Sequence, residues 1–116
     1  MKFVLPLPLN RANARWGHWR VEKRHRDTYY LMCTALYPKL PKEQAGKARI
    51  SATLYTWNKM DIDNLFARVK WPCDWLERRG WIPGDDPDSM EWVGIPKQFI
   101  DRKNQRIEIT LEALDT

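Results

Sequence analysis

The segment Asp61-Ile62-Asp63-Asn64-Leu65 places two carboxylates two positions apart. In an extended backbone, residues i and i+2 project from one face, with Cα atoms roughly 6.5 Å apart. Asp61 and Asp63 can then face one ion while Ile62 turns to the core. Two carboxylates held that close repel unless a cation or a proton lies between them. The alternative is helix capping, because Asp63 or Asn64 can satisfy the orphan N–H groups of a helix that starts here. An EF-hand loop would need Asp or Asn at its fifth position and Gly at its sixth. Leu65 and Phe66 stand there instead. A second acidic element lies in Pro83-Gly84-Asp85-Asp86-Pro87-Asp88, where an ordinary turn would use the same residue types.

Taken together, the two elements offer three carboxylates to a hard cation, either Asp85 or Asp86 being the third. Mg²⁺ takes oxygen ligands and keeps several waters. At a DNA phosphodiester it would polarise the phosphoryl oxygen, acidify an attacking water and offset charge on the leaving oxygen. Lys70, or Arg68, could add charge stabilisation from the helix that follows. Both could equally belong to a solvated helix face.

The net charge of +5 biases the chain towards polyanions. Arg11, Arg15, Arg20, Lys23, Arg24 and Arg26 crowd into one segment against Glu22 alone, and are expected to hold a DNA backbone. Trp16 and Trp19 interleave with them and could stack on unpaired bases, or staple the arm to the core. Cys33 and Cys73 form no CxxC pattern, and with His18 and His25 they match no zinc spacing. They are read as reduced thiols.

The elements that must position these groups follow from pattern. Lys2 to Leu7 alternates and reads as a short strand, limited by Pro6 and Pro8. About Arg20 to Tyr37 reads as a helix, with Leu31, Met32, Ala35 and Leu36 on one face and Asp27 as a cap or first-turn residue. Ala48 to Trp57 alternates as a half-buried strand. Asp61 to Arg79 is an amphipathic helix carrying Leu65, Val69, Cys73 and Leu76 at helical spacing. Pro72 should kink or interrupt it, and Gly80 ends it. Met90 to Ile100 reads as a strand, Asp101 to Asn104 as a hairpin turn, and Arg106 to Glu112 as the most regular strand. Trp71, Trp75, Trp81 and Trp92 are expected in packing or at a dimer interface.

The order β-α-β-α-β-β predicts a single domain over 1–116. Its expected fold is an α/β two-layer sandwich with a mixed four-stranded sheet and two main helices. No run approaches 18 apolar residues, so no membrane span is expected. The apolar N-terminal run is too short for a secretory signal, so a cytoplasmic protein is expected.

The chain resembles the RusA-type Holliday junction resolvases, or crossover junction endodeoxyribonucleases, many of which are encoded by phages and prophages. The resemblance spans most of the chain. It rests on the N-terminal strand followed by Leu9-Asn10-Arg11-Ala12-Asn13, on Asp61-Ile62-Asp63-Asn64-Leu65, on Asp74 and Leu76, and on Gly80-Trp81 leading to Asp85-Asp86. It implies a homodimer that cleaves four-way DNA junctions with Mg²⁺, or Mn²⁺, in recombination and repair. The family's metal-site aspartates fall on Asp61, Asp63 and Asp86. Its functional lysine, two residues after the Leu of the motif, is replaced here by Ala67. Lys70, four residues before Asp74, meets the family's other spacing rule and is the candidate substitute, with Arg68 the alternative. Two further readings compete: a catalytically weak branched-DNA-binding protein, and a phosphoesterase acting on other nucleic acid.

Overall fold

The computed structural model describes residues 1–8, 19–43, 45–84 and 86–114. In chain order the elements are β1 (Lys2–Pro6), α1 (Trp19–Leu36), β2 (Ala48–Thr56), α2 (Ile62–Arg78), β3 (Met90–Trp92), β4 (Lys97–Ile100) and β5 (Arg106–Ala113). The architecture is the expected mixed α/β one, with two helices and a mixed sheet. The sheet has five strands rather than four. The expected strand from Met90 to Ile100 breaks at Gly94, whose φ of 68° lies in the left-handed region, with Pro96 just beyond. Its halves, β3 and β4, pair in parallel with the beginning and the end of β2.

The central strand is β2, whose nine residues alternate strictly between buried and half-buried. Its other edge pairs antiparallel with β5, which pairs antiparallel with β1. The expected hairpin at Asp101 to Asn104 is therefore absent, because β4 and β5 lie on opposite sides of β2 rather than beside each other. A strand two places away is about 9.6 Å distant, and five residues, 101–105, can span about 17 Å. The link thus crosses the end of β2, and the Asp101 N–H donates to Thr56 O at 3.0 Å on the way. That crossing brings Gln105 to the mouth of the sheet.

Apolar residues of alternate strand positions, among them Phe3, Leu5, Ile50, Leu54, Ile107 and Ile109, form one buried sheet face. Tyr29, Tyr30 and Cys33 of α1 join them with Leu65, Val69, Trp71, Cys73, Trp75 and Leu76 of α2. The helical spacing read for α2 thus marks its core face. The α1 face of Leu31, Met32, Ala35 and Leu36 instead points outward, Leu31 being 72 % exposed. The competing face wins because two tyrosines bury more area, and the Tyr29 hydroxyl finds an acceptor in Pro6 O at 2.8 Å.

Pro72 neither ends nor interrupts α2, which runs on to Arg78. Proline removes one helical hydrogen bond. Here its ring is fully buried, and core packing offsets the loss. The helix ends as expected at Gly80, with φ 83°. There the Trp81 N–H donates to Leu76 O at 2.9 Å and the Gly80 N–H to Glu77 O at 3.0 Å, a Schellman closure. Trp71 and Trp75 are buried, and Trp81 and Trp92 are partly buried against the core.

Cys33 and Cys73 are both buried and are not joined in a disulfide. Burial pushes the Cys33 thiol up to about 12. The thiolate is the reactive form, so iodoacetamide at pH 8 should leave Cys33 unlabelled in the folded protein and label it in guanidinium. Rapid native labelling, read by mass spectrometry, would contradict this burial. Among the described residues, no helix is long and apolar enough to cross a membrane.

Candidate functional site

The loop from β2 to α2 and the link from β4 to β5 meet at the carboxyl end of β2. Ligands of parallel α/β sheets commonly bind outside the carboxyl ends of strands. A cavity of about 370 Å³ opens there, lined by Thr56, Trp57, Asn58, Lys59, Met60, Asp61, Asn64, Arg68 and Gln105.

Asp61 occupies the N-cap position of α2, with φ −68° and ψ 160°, yet makes no side-chain capping bond. Its carbonyl accepts the first helical bond, from the Leu65 N–H at 3.0 Å. The helix begins at Ile62, so the segment is not extended as the same-face argument for Asp61 and Asp63 required. Ile62 is accordingly 51 % exposed instead of turned to the core. Asp63 sits in the first turn, exposed and outside the cavity lining. Neither carboxylate has a hydrogen bond or ion pair with another described residue.

Helical geometry then assigns the two candidate cations. Seven residues are close to two turns, and nine are two and a half. Arg68 therefore shares the side of Asp61, and both line the cavity. Lys70 lies on the opposite side, beneath Asp63. It pairs with Asp74 at 3.2 Å in an i,i+4 ion pair, and borders a separate cleft with Phe66, Cys73 and Trp92. Arg68 is half-buried. Burial lowers its guanidinium from its ordinary value, and its Nε is buried with no hydrogen-bond partner among the described residues.

Asp86 is committed to its own loop. Its Oδ1 accepts from the Asp88 and Ser89 N–H groups, each at 2.9 Å, and its Oδ2 accepts from Ser89 Oγ at 3.1 Å. A Cβ at Gly84 would stand 3.1 Å from that Oδ2, so the turn is closely built. Asp85 lies outside the described residues. Among the described residues no group of three or more His, Cys, Asp or Glu side chains is placed to hold a metal. The structure thus brings Asp61 together with Arg68, and does not gather Asp61, Asp63 and Asp86.

Of the expected DNA-contacting residues, Arg11 and Arg15 lie outside the described residues. Arg20, Lys23 and Arg24 are exposed along α1. Lys23 pairs with Asp27 at 2.9 Å, and Arg26 is half-buried, its Nε without a hydrogen-bond partner among the described residues.

Sequence reasoning passed over the side chains that brace the site. The Gln98 carboxamide clamps Met60, donating to its O at 2.7 Å and accepting from its N–H at 2.8 Å. Arg102 Nε donates to Trp57 O at 3.1 Å, and Thr56 Oγ1 to Asn58 O at 2.9 Å. Arg106 anchors the link, donating to Asp101 at 3.1 Å and Glu108 at 2.9 Å, and lies 3.7 Å over the Tyr55 ring. Its hydrogen bond holds the Asp101 carboxyl below the usual carboxylate range. No local motif marks the roles of Gln98, Arg102 and Arg106, which depend on β4 pairing with β2 and on the link that crosses its end.

No protein-family model matches this chain, and no curated protein matches it significantly.

Proposed function

We propose that this protein is a divalent-metal-dependent endodeoxyribonuclease of branched DNA, with four-way junctions as its substrate. The observation that carries the reading is the sharing of one polar cavity by the Asp61 carboxylate and the Arg68 guanidinium. A guanidinium that lines a polar cavity favours an anionic phosphate oxygen. A carboxylate beside it repels that anion unless a cation lies between. The Asp61 carboxylate is a hard-oxygen donor with no other partner among the described residues, whereas Asp63 stands on the opposite side of α2. A single carboxylate of this kind fits Mg²⁺, which is commonly held by one or two carboxylates with waters and substrate phosphate. When bound, the ion supplies the polarising charge and an acidified water. Arg68 holds and neutralises a phosphate oxygen, and the braced loop keeps Asp61 in place. A homodimer acting in the cytoplasm would carry two such sites and nick both strands.

The second reading is a junction-binding protein of low catalytic power. Two observations favour it: Asp86 already spends both carboxyl oxygens on its turn, and Ala67 stands where the resembled family carries its lysine. Incubating an end-labelled four-way junction with the protein and Mg²⁺ separates the two. Paired nicks that vanish in Asp61→Asn support the nuclease. Retained junction binding without nicks supports the second reading.

Either reading requires contact with phosphates, and α1 offers Arg20, Lys23 and Arg24. Each phosphate contact contributes roughly 0.9 to the slope of log affinity against log salt. Arg24→Ala should lower that slope by about one contact while leaving thermal unfolding unchanged. An unaltered slope across a salt titration would remove α1 from the interface.

A further inference from the structure

We propose that the cavity at the end of β2 takes one unpaired nucleotide of the bound strand, Asn58 and Gln105 reading its base and Arg68 holding its phosphate. The inference rests on the nucleic-acid reading above and adds base selection to it.

Three features of the cavity point this way. First, its walls are set before any ligand arrives. Gln98, Arg102 and Thr56 spend their polar groups on the backbone of Trp57, Asn58 and Met60. A braced loop loses little freedom on binding. Secondly, three carboxamides line the same space, those of Asn58, Asn64 and Gln105. None has a hydrogen bond to another described residue. A carboxamide carries a carbonyl acceptor beside two N–H donors. That pairing matches the donor and acceptor edge of a base and can distinguish one base from another. A site built only for phosphate would need cations and N–H donors, not acceptors. Thirdly, the remaining parts of a nucleotide find partners. The half-buried Arg68 lines the cavity beside Asn64 and Gln105, and its guanidinium suits a phosphate. Trp57 is 52 % exposed, with the Arg102 guanidinium 5.1 Å from its ring centre, and offers a surface for stacking.

Size agrees. About 370 Å³ is at the lower end of the roughly 300–1,000 Å³ of small-ligand sites. It suits one nucleotide and is too small for a duplex. The polar lining disfavours a lipid or an aromatic drug-like ligand. An unpaired nucleotide is the natural occupant because its Watson–Crick edge is unoccupied, and least energy is needed to unstack it where the strand is already open.

The test uses single-stranded tetranucleotides that vary one central base, titrated into the full chain in EDTA so that no cleavage occurs. Affinity and the side-chain amide signals are read by NMR. The expected result is a spread of at least about five-fold in Kd among the four bases, with the amide signals of Asn58 and Gln105 shifting. Arg68→Ala should weaken all four by about ten-fold alike. Asn58→Ala and Gln105→Ala should compress the spread. Both residues are exposed, and the backbone spectrum checks that each variant is folded. Equal affinities for the four bases, or unmoved Asn58 and Gln105 signals, would overturn the proposal. So would free deoxynucleoside monophosphates binding as tightly as the tetranucleotides, since the occupant would then not be part of a strand. Base-ranked binding by a chain that never nicks junctions sinks the nuclease reading alone. Junction cleavage without base ranking sinks this one alone.

Discussion

Asp61→Asn should lower the rate of Mg²⁺-dependent junction cleavage by at least about 100-fold, the upper end of what losing even an outer-shell partner costs a metal site. The amide keeps the shape of the side chain and removes its charge. Asp61 makes no capping bond, so the substitution breaks no hydrogen bond with a described residue, and unfolding temperature should hardly move. Junction binding in EDTA should tighten slightly, because a carboxylate that repels phosphate is gone. Loss of cleavage with intact folding and intact binding is a combination that a structural role for Asp61 would not produce. Cleavage within a few-fold of wild type would remove Asp61 from the reaction.

Asp86→Asn is the matched comparison. The asparagine Oδ1 can still accept from the Asp88 and Ser89 N–H groups, and the Ser89 hydroxyl can turn to accept from the new NH₂. The turn should therefore survive. With its carboxyl oxygens occupied as they are, Asp86 should cost less activity than Asp61 when neutralised. An equal loss would mean that Asp86 leaves its turn and joins Asp61 when substrate and ion are bound. Arg68→Lys and Lys70→Met discriminate the cations in the same assay. The first should reduce cleavage by removing the planar fork. The second should leave it within a few-fold, since Lys70 is on the far side of α2 from Asp61.

Much of the fold was legible because it rests on local periodicity. Strict alternation marked β2 and β5, and Leu65, Val69, Cys73 and Leu76 marked the core face of α2. Gly80 marked its end. What failed depended on partners distant in the chain. In α1 both sides are apolar, and only the position of Pro6 and of α2 decides that Tyr29, Tyr30 and Cys33 go inside. The hairpin was inferred from a turn-rich sequence between two strands. A turn at Asp101 is consistent equally with a neighbouring strand and with a crossing over β2. The site suffered from the same limit. Asp61 and its loop were identifiable from type and spacing. Helical phase sets Arg68 with Asp61 and Lys70 on the other side of α2, but the cavity that Asp61 and Arg68 share needed the loop and the link to meet. Gln98 carries no signal until β4 pairs with β2, nor do Gln105 and Arg102 until the link crosses the sheet.

Trp75→Ala should cost about 3–5 kcal/mol of stability, the range for removing a buried Trp or Phe. Domains of this size have roughly 5–15 kcal/mol in total, so the variant would be close to unfolding at 37 °C. The indole is 1 % exposed and lies where both helices and β1 meet. Its ring centre is 6.0 Å from that of Phe3, edge-on, and 6.4 Å from that of Tyr37. Its Nε1 donates to Thr34 Oγ1 at 3.0 Å and so ties α2 to α1. Truncation removes the apolar burial, opens a cavity that rigid neighbours cannot fill, and strands the Thr34 hydroxyl. Thr34→Val separates these contributions: it keeps the packing and orphans the indole N–H, which should cost about 1–3 kcal/mol. Trp57→Ala provides the contrast. That residue is 52 % exposed, and its replacement should change stability by no more than about 0.5 kcal/mol while weakening nucleotide binding. Urea midpoints of the three variants read the ranking directly. A Trp75→Ala loss below about 1 kcal/mol would mean that α2 does not pack on the sheet as described, and the Asp61 and Arg68 geometry, which α2 sets, would fall with it.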